Sequence, residues 1–572
     1  MKKLICNIVR TFRSSVSKWF NVATKVYELA KGYVGEQLKD ASRLWDKYRA
    51  VILNLPTGAG KTTFVVNVII PMAIKFKKRV LIVSNRIALD MDIKKRIAKL
   101  LEIYQNYPDD ILRNIDDFGL ITVTTYQKLA KYLNDKEFCK NISWFIADEV
   151  HFFTSDSLFN CSTYNLLYSI PKEFKQAIRI YISATIDDVF PYICDAECND
   201  IAITMWQNRF LFDKSQQKLQ RNCNDWEYRK VYPDVYEKYI SDKMDACFYP
   251  LPIIYTRKRD TNYMNLDFYS DPDTVIEKIN ASNDKSIVFV ESKKRGKELK
   301  DLLPDSSYMT SEINNDDPSL LHEIISQESF KTKTLITTSV FSNGCNINDA
   351  SVKDVFIENT SPVDIIQMAG RRRKVSDKDR VNIHIRIPDL DMLKYYISNN
   401  NQKLTLIKQA KKDTDKFLNE IINETPDSKR LKGLYYILNG KPVFNQIAID
   451  MLQKNNHYYA EVKEMIELHG ESAYCKKTAK LFNKRFKQDM IVKPHDYKQD
   501  TITWLNSLTE KESIDLKSFG SELIGQIAKF NHETRERSDR ILHMKALNNR
   551  LTSNGLPFEI ICQEGRHIIE KK

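Results

Sequence analysis

The chain has 572 residues, 42% of them hydrophobic and 28% charged, with a formal net charge of +13. That length exceeds what one core supports and predicts about three or four domains. No apolar run approaches the ~20 residues of a membrane-spanning helix, and the opening MKKLICNIVRTFRSS is too short and Arg-interrupted for a good secretory signal. The charge is unevenly placed. Residues 1–50 carry 11 Lys+Arg against 4 Asp+Glu, residues 391–572 carry 31 against 24, and the interior is nearly neutral at 46 against 47. Basic flanks around a neutral centre suit a polyanionic partner, although a solvated basic surface gives the same count. Ten cysteines are scattered along the chain, which favours reduced thiols and a cytoplasmic protein over a disulfide framework. Cys194, Cys198, Cys223 and Cys247 would be a zinc set, but structural zinc sites usually show two tight pairs and only the first two are close.

In residues 1–31, apolar side chains at Ile5, Val9, Phe12, Val16, Trp19, Val22, Val26 and Leu29 step by three and four. This predicts an amphipathic helix with a basic outer face, packed on the core, lying on a membrane surface or docked on a partner. Residues 32–190 alternate strand and helix patterns, with strands expected at Val51–Leu55, Arg79–Val83, Leu120–Thr124, Trp144–Ala147 and Ile178–Ile182. Residues 191–275 are rich in Tyr, Asp and Asn and read as a linker with an insertion, ending in a hairpin over Ile253–Ser270. Alternation resumes at 276–390, with strands expected at Ser286–Val290, Thr334–Thr338, Asp354–Ile357 and Asn382–Arg386. Residues 391–572 are mostly helical by pattern and close with a helix at Arg540–Leu551 and a hairpin built from Phe558–Cys562 and His567–Glu570. That ending fits a winged-helix module or any small α+β tail. The expected fold class is α/β: two parallel-sheet lobes in tandem, with an inserted linker and a helical C-terminal extension.

The densest chemical signal is LPTGAGKTT, Leu55 to Thr63, between an apolar strand and a helical pattern. A strand, a glycine turn and a helix opening in Gly-Lys-Thr make a phosphate-binding loop. Pro56, Thr57, Gly58, Ala59, Gly60, Lys61, Thr62 and Thr63 form its wall. Gly58 and Gly60 permit the tight turn that aims backbone N–H groups inward. The helix N-terminus adds positive potential, Lys61 reaches the β- and γ-phosphates, and the Thr62 hydroxyl ligates Mg²⁺.

Further along, WFIADEVH ends an apolar strand in two carboxylates. Asp148 is the expected Mg²⁺ partner, and Glu149 the base that takes a proton from the attacking water. ISAT (Ile182–Thr185) follows one helix-and-strand unit later. QMAGRRRK (Gln367–Lys374) is poor material for a core and reads as a surface meeting negative charge, the place for an arginine finger from a second lobe.

Taken in order, these segments resemble the motif series of superfamily 2 DExH-type helicases, over about residues 50–375. Pro56–Thr62 is similar to motif I, Ser84-Asn85-Arg86 to motif Ia, and Thr124–Gln127 to the next strand-contact motif. Asp148–His151 matches motif II, Ser183–Thr185 motif III, Val288–Ser292 motif IV, Thr338–Gly344 with Ile347 motif V, and Gln367, Gly370 and Arg371 motif VI. The resemblance implies two RecA-like lobes that bind ATP with Mg²⁺ between them and act on DNA or RNA. By position it implies that Gln367, Arg371 and a second cation act in catalysis, and that Gly344 lies near the nucleotide. It implies that His151, Ser183 and Thr185 couple the lobes, and that Ser84, Arg86, Thr125, Ser292 and Thr338 lie near the phosphates of a bound strand. The sequence departs from the pattern at three places. The final arginine of motif VI falls on Lys374, leaving Arg373 and Lys374 as rival second fingers. Asn346 stands where many members carry Asp. For adenine reading, only Gln37 precedes the loop at a suitable distance.

The expected activity is therefore an ATP-dependent helicase or translocase on single-stranded DNA or RNA or tailed duplexes. The alternatives are a nucleotide-gated clamp or sensor and the motor subunit of a restriction or defence complex. Protein partners would dock on the basic flanks. A fused nuclease finds only a loose fit in Pro426-Asp427 with Glu461-Val462-Lys463.

Overall fold

Apolar runs from both halves of the chain pair as two parallel sheets. The structure is a computed structural model describing residues 26–47, 49–85, 87–103, 109–197, 252–310, 318–338, 346–492, 497–511, 513–530 and 543–572. The first sheet is built from β1 (Val26–Glu28), β2 (Val51–Asn54), β3 (Arg79–Ser84), β4 (Ile121–Thr125), β5 (Ile142–Ala147), β6 (Ile178–Ser183) and β7 (Ile253–Thr256). Their order is β1-β7-β2-β6-β5-β3-β4, and every pairing is parallel. The second is built from β8 (Met264–Tyr269), β9 (Lys285–Phe289), β10 (Ser306–Met309), β11 (Thr334–Thr337), β12 (Val352–Ile357) and β13 (Val381–Arg386). Their order is β10-β11-β9-β12-β13-β8, again all parallel.

Successive residues of a strand feed opposite cores. Ile52, Leu81, Val83, Phe145 and Tyr181 enter one layer of the first lobe, while Leu53, Val80, Ile82, Ile146 and Ile180 enter the other. A sheet covered on both faces needs apolar residues at every position, which explains the near-continuous apolar runs. Parallel strands also need long crossovers, so the loops leaving their carboxyl ends collect along one edge of each sheet. Residues 55–60, 84–85, 125 and 148–151 share that edge in the first lobe.

The helix after the phosphate loop runs as Lys61–Phe64, a wider π turn Val65–Ile69, then Ile70–Lys75. Pro71 has no amide to donate, and the wider turn lies directly before it.

Several expectations are corrected. Val26 to Glu28 is a strand paired with β7 rather than part of the amphipathic helix; the rest of that segment, up to residue 25, lies outside the described residues. Ile253–Ser270 is no hairpin. β7 completes the first sheet and β8 the second, so the two strands divide between lobes. The apolar patterns of both were legible, but short-range alternation carries no information about which sheet a strand joins. The linker is also narrower than 191–275, because Ile193 and Ala196 sit in the first-lobe core and Glu197 ties to Arg179 through bonds of 2.8–3.1 Å.

Residues 391–572 divide as well: the chain separates into one unit running to residue 270 and resuming at 275–491, and a second made of 271–274 with 492–572. Within the first unit, helices Leu390–Lys412, Thr414–Ile422 and Pro426–Arg430 and the hairpin β14 (Tyr435–Leu438) and β15 (Lys441–Phe444) share a core around Ile407, Phe417, Leu431 and Phe444. Helix Gln446–His469 then spans both lobes. Ile447 and Met451 join the first-lobe core, and Val462 joins the second. Asn445 caps this helix by accepting from the Ala448 amide, and its Nδ2 donates to Thr163 Oγ1 at 2.7 Å and to the carbonyls of Ser157 and Asn160.

The second unit contains helices Tyr497–Leu508, Leu516–Phe530 and Met544–Ser553 and the antiparallel hairpin β16 (Phe558–Gln563) and β17 (Arg566–Lys571). Among the described residues no helix is long and apolar enough to cross a membrane. Of the proposed zinc set, Cys194 forms no disulfide among the described residues, and Cys198, Cys223 and Cys247 lie outside them.

Candidate nucleotide site

Gly58 and Gly60 both take positive φ, 80° and 86°. A side chain is disfavoured there, and a turn of this kind can aim backbone amides at an anion. The loop is tied to the neighbouring strand by the Leu55 amide, which donates to the Ser183 carbonyl at 3.1 Å, and the Ala59 amide closes on Pro56 at 3.2 Å. Lys61 is buried, with Nζ donating to the Leu55 carbonyl at 2.8 Å. Thr62 follows in the first helical turn, and Thr63 Oγ1 accepts from Arg96 at 3.3 Å. The Tyr33 ring lies against the loop, such that a Cβ on Gly60 would meet it at 3.3 Å.

The DEVH segment leaves β5 beside this loop. Glu149 has φ of 51°, a left-handed conformation uncommon outside glycine, at the residue expected to act as base. Its amide donates to Asp148 Oδ1 at 2.9 Å, and Tyr126 donates its hydroxyl proton to the Asp148 carbonyl at 2.9 Å. His151 Nδ1 lies 3.3 Å from Glu149 Oε2 and 3.2 Å from Ser183 Oγ. Ser183 in turn accepts from the Thr185 amide at 3.1 Å. Asp148, Glu149, His151, Ser183 and Thr185 are therefore one buried hydrogen-bonded chain.

The second lobe closes on it. A Cβ on Gly370 would lie 3.0 Å from Thr57 Oγ1, and one on Gly58 would lie 3.6 Å from Arg373 Nη1. Gln367 Nε2 donates to Thr185 Oγ1 at 2.7 Å. Arg371 is buried. Arg373 Nε donates to Asn346 Oδ1 at 3.1 Å, and Nη2 shares that acceptor. Asn346, the motif V departure, is thus the residue that holds Arg373. The segment reads in sequence as a surface meeting negative charge and as poor material for a core, yet part of it is buried. Arg372 is fully buried, with Nη1 and Nη2 donating to Asp379 at 2.7 and 2.9 Å and Nε to the Val352 carbonyl. Lys374 turns outward, 2.8 Å from Asp377 and 3.7 Å from Asp260. The acidic residues Asp260, Asp377 and Asp379 decide which cation reaches the pocket, and nothing in the local motif announces them.

The electrostatics suit a polyanionic ligand. Burial pushes Lys61 below the usual lysine range; Glu149 and Asp148 oppose that, while Arg373 and Arg371 reinforce it. Burial and the neighbouring Arg371 together bring Arg373 down to about 10. Burial, with Glu149 adding to it, raises the Asp148 carboxyl to about 7. Burial alone would also raise Glu149, but the His151 contact and the charges of Lys61, His151 and Arg371 hold it below the usual carboxylate range. Three mutually repelling cations face two carboxylates, one of which resists ionising. A polyphosphate would relieve the first strain and a divalent cation the second. The oxygen donors Thr62 and Asp148 suit Mg²⁺.

Residues expected along a bound strand sit on the carboxyl edges of both sheets. Ser84 on β3 is in register with Thr125 on β4. Ser84 Oγ is buried with no hydrogen-bond partner among the described residues. Ser292 follows β9 and caps helix Lys293–Leu302, and Thr338 follows β11. Arg86 and Gly344 lie outside the described residues. Gln37 donates to the Ala30 carbonyl at 3.2 Å. In the loose nuclease set, Glu461 is paired with Lys477 and Lys463 with Glu467.

Residues 19–188 match the ResIII domain. That family is described as the res subunit of type III restriction enzymes, and the match ends before the second sheet. The ResIII segment contains the phosphate loop, the DEVH carboxylates and Ser183–Thr185. A search of curated proteins finds no match. Among solved structures, the Mycobacterium smegmatis helicase Lhr, bound to ssDNA and AMP-PNP, is similar at 15% identity and TM-score 0.40 over 77% of this chain and 55% of that one. The DEAD-box helicase Mss116, bound to ssRNA and UDP-BeF, is similar at 12% identity and TM-score 0.42, covering 77% and 94%. The helicase MrfA bound to DNA is similar at 14% identity and TM-score 0.39, covering 62% and 45%. The chain thus spans about half the length of Lhr and of MrfA.

Proposed function

We propose that this chain is an ATP-dependent nucleic-acid helicase or translocase of the superfamily 2 DExH type. The observation that carries the reading is the approach of Arg373 to Gly58: a cation of the second lobe stands at the phosphate loop of the first. Lys61 and the loop amides hold the β- and γ-phosphates. Glu149 takes the proton of the attacking water, and His151 orients that carboxylate. Arg371 and Arg373 stabilise charge developing on the transferred phosphoryl, a contribution of ~10³-fold or more in comparable enzymes. Mg²⁺, held through Thr62 and Asp148, would neutralise phosphate charge. Gln367 and Thr185 carry the state of the site between lobes, so that the edges bearing Ser84, Thr125, Ser292 and Thr338 move along a strand. A cytoplasmic location agrees with the scattered cysteines.

Purified protein should hydrolyse ATP several-fold faster with single-stranded DNA or RNA, and Lys61→Ala should remove that activity. Hydrolysis unaffected by any nucleic acid would defeat the reading. Stimulated hydrolysis without displacement of a tailed duplex reduces it to a nucleotide-gated clamp.

The ResIII match favours one second reading, the motor subunit of a restriction complex. Greater stimulation by duplex DNA than by single strands, without strand displacement, would support it.

A further inference from the structure

The second unit, residues 271–274 with 492–572, has a core of its own, in which Leu505, Leu508, Phe519 and Leu523 from two helices meet Leu547 and Leu551 from a third and Phe558, Ile560 and Ile569 from the hairpin. The connection between the first two helices passes along the hairpin, where the Ile514 amide donates to the His567 carbonyl at 2.8 Å. The chain order is therefore helix, a short extended pairing to β17, two helices, then β16 and β17.

Helix Met544–Ser553 is locked in one rotation by a two-way bond. Asn548 Nδ2 donates to the Ile560 carbonyl at 2.9 Å, and Asn548 Oδ1 accepts from the Ile560 amide at 2.7 Å. With Leu547 and Leu551 facing the core, the opposite face is fixed outward. Lys545, Asn549, Arg550, Thr552 and Ser553 are exposed on it, and the helix carries no acidic residue. Lys545 and Arg550 have no ion-pair partner among the described residues. A helix of 10 residues whose free face carries cationic, amide and hydroxyl side chains, with the small Ala546 among them, matches a duplex groove in charge and in hydrogen-bonding chemistry. The B-form major groove is about 12 Å wide and admits one helix, and Arg, Lys and Asn pair with guanine and adenine edges there. The neighbouring hairpin is charge-balanced, with Glu564 beside Arg566 in its exposed turn and Glu570 beside Lys571, so the cationic face of the unit is on the helix.

We propose that this unit is a double-stranded DNA reader in which helix Met544–Ser553 enters the major groove through Lys545, Asn549 and Arg550. This goes beyond the motor reading, because it needs neither ATP nor the phosphate loop. A-form RNA duplexes have a major groove too deep and narrow for a helix, so the reader discriminates against them.

The test uses the full chain without nucleotide and a labelled DNA duplex of about 20 base pairs, read by anisotropy over a salt series, with an RNA duplex of the same sequence alongside. Lys545→Ala and Arg550→Ala should each weaken duplex DNA binding about tenfold, and a phosphate-contacting cation among them should lower the salt slope by about 1. The RNA duplex should bind at least about tenfold more weakly than DNA. Both side chains are exposed, so an unchanged melting temperature verifies folding. Absence of duplex binding by the parent chain, an affinity of the double variant within about twofold of the parent, or equal affinity for the RNA duplex would overturn the proposal. Single-strand-stimulated ATPase, measured on the same preparations, should be unchanged in both variants. If that stimulation is missing from the parent, the motor reading fails while the duplex measurement still stands or falls by itself.

Discussion

Gln367 of the second lobe donates to the Thr185 hydroxyl of the first across 2.7 Å, with both residues buried. Thr185 is bonded through Ser183 to His151, which contacts Glu149. A hydrogen-bonded chain, passing through the Thr185 backbone, thus runs from the expected general base to the segment carrying Arg371 and Arg373.

Gln367→Ala should lower kcat for nucleic-acid-stimulated ATP hydrolysis by about tenfold or more, roughly the value of one buried hydrogen bond to a reacting assembly. Nucleotide affinity should change by less than about threefold, since Gln367 does not touch the phosphate loop. Steady-state kinetics with parallel nucleotide titration checks this; equal losses in both would remove the coupling role.

The two cations that end the basic segment should differ sharply. Arg373→Ala should reduce kcat about 10³-fold because its guanidinium stands at Gly58. Lys374→Ala should leave kcat within about twofold, its ammonium being an outward partner of Asp377 and Asp260. A larger loss at Lys374 than at Arg373 would reverse the assignment.

Arg372 and Asp379 form a buried two-bond pair. Removing one partner with Asp379→Asn should destabilise the second lobe by about 3 kcal/mol, visible as a lowered denaturant midpoint. The pair also sets an acid sensitivity. Burial opposes ionisation of Asp379, but Arg372 and the Val375 amide dominate and hold its carboxyl down at about 2. A depressed folded-state value stabilises above the unfolded value of about 3.9 and loses that stability as pH falls through the folded value. The parent should therefore lose stability between about pH 4 and pH 2, and the Asp379→Asn protein should show a smaller change over that range.

Asn445 is fully buried, caps helix Gln446–His469 and donates to three first-lobe acceptors. Asn445→Ala removes the cap and strands those acceptors, and should cost about 2–4 kcal/mol, read by thermal melting. A melting temperature equal to the parent's would show that the helix is held by apolar packing alone.

What was readable in the chain was local. Near-continuous apolar runs marked most strands of both sheets to within about two residues, because a strand buried on both faces must be apolar at each position. The phosphate loop was legible because glycine, lysine and threonine are each required there by backbone conformation or chemistry. The Met544–Ser553 helix and the hairpin after it were similarly visible. Ile253–Thr256 and Met264–Tyr269 were seen as strands but paired wrongly, since a strand's own residues do not name its neighbour. The roles of Arg372, Arg373 and Lys374 were unreadable for a related reason. Three adjacent cations look alike until Asp379, Asn346 and Asp377 with Asp260 each claim one.

The chain by itself determined which residues can bind phosphate, carry a proton or bear a finger, because those capacities belong to side chains and short spacings. Tertiary structure decided which cation of the basic segment faces Gly58, which strands close each sheet, and that helix Gln446–His469 spans both lobes. Those outcomes depend on partners outside the motifs, from Asp377 and Asp379 a few residues on to Asn346 and strands far along the chain, and burial sharpens the choice among them.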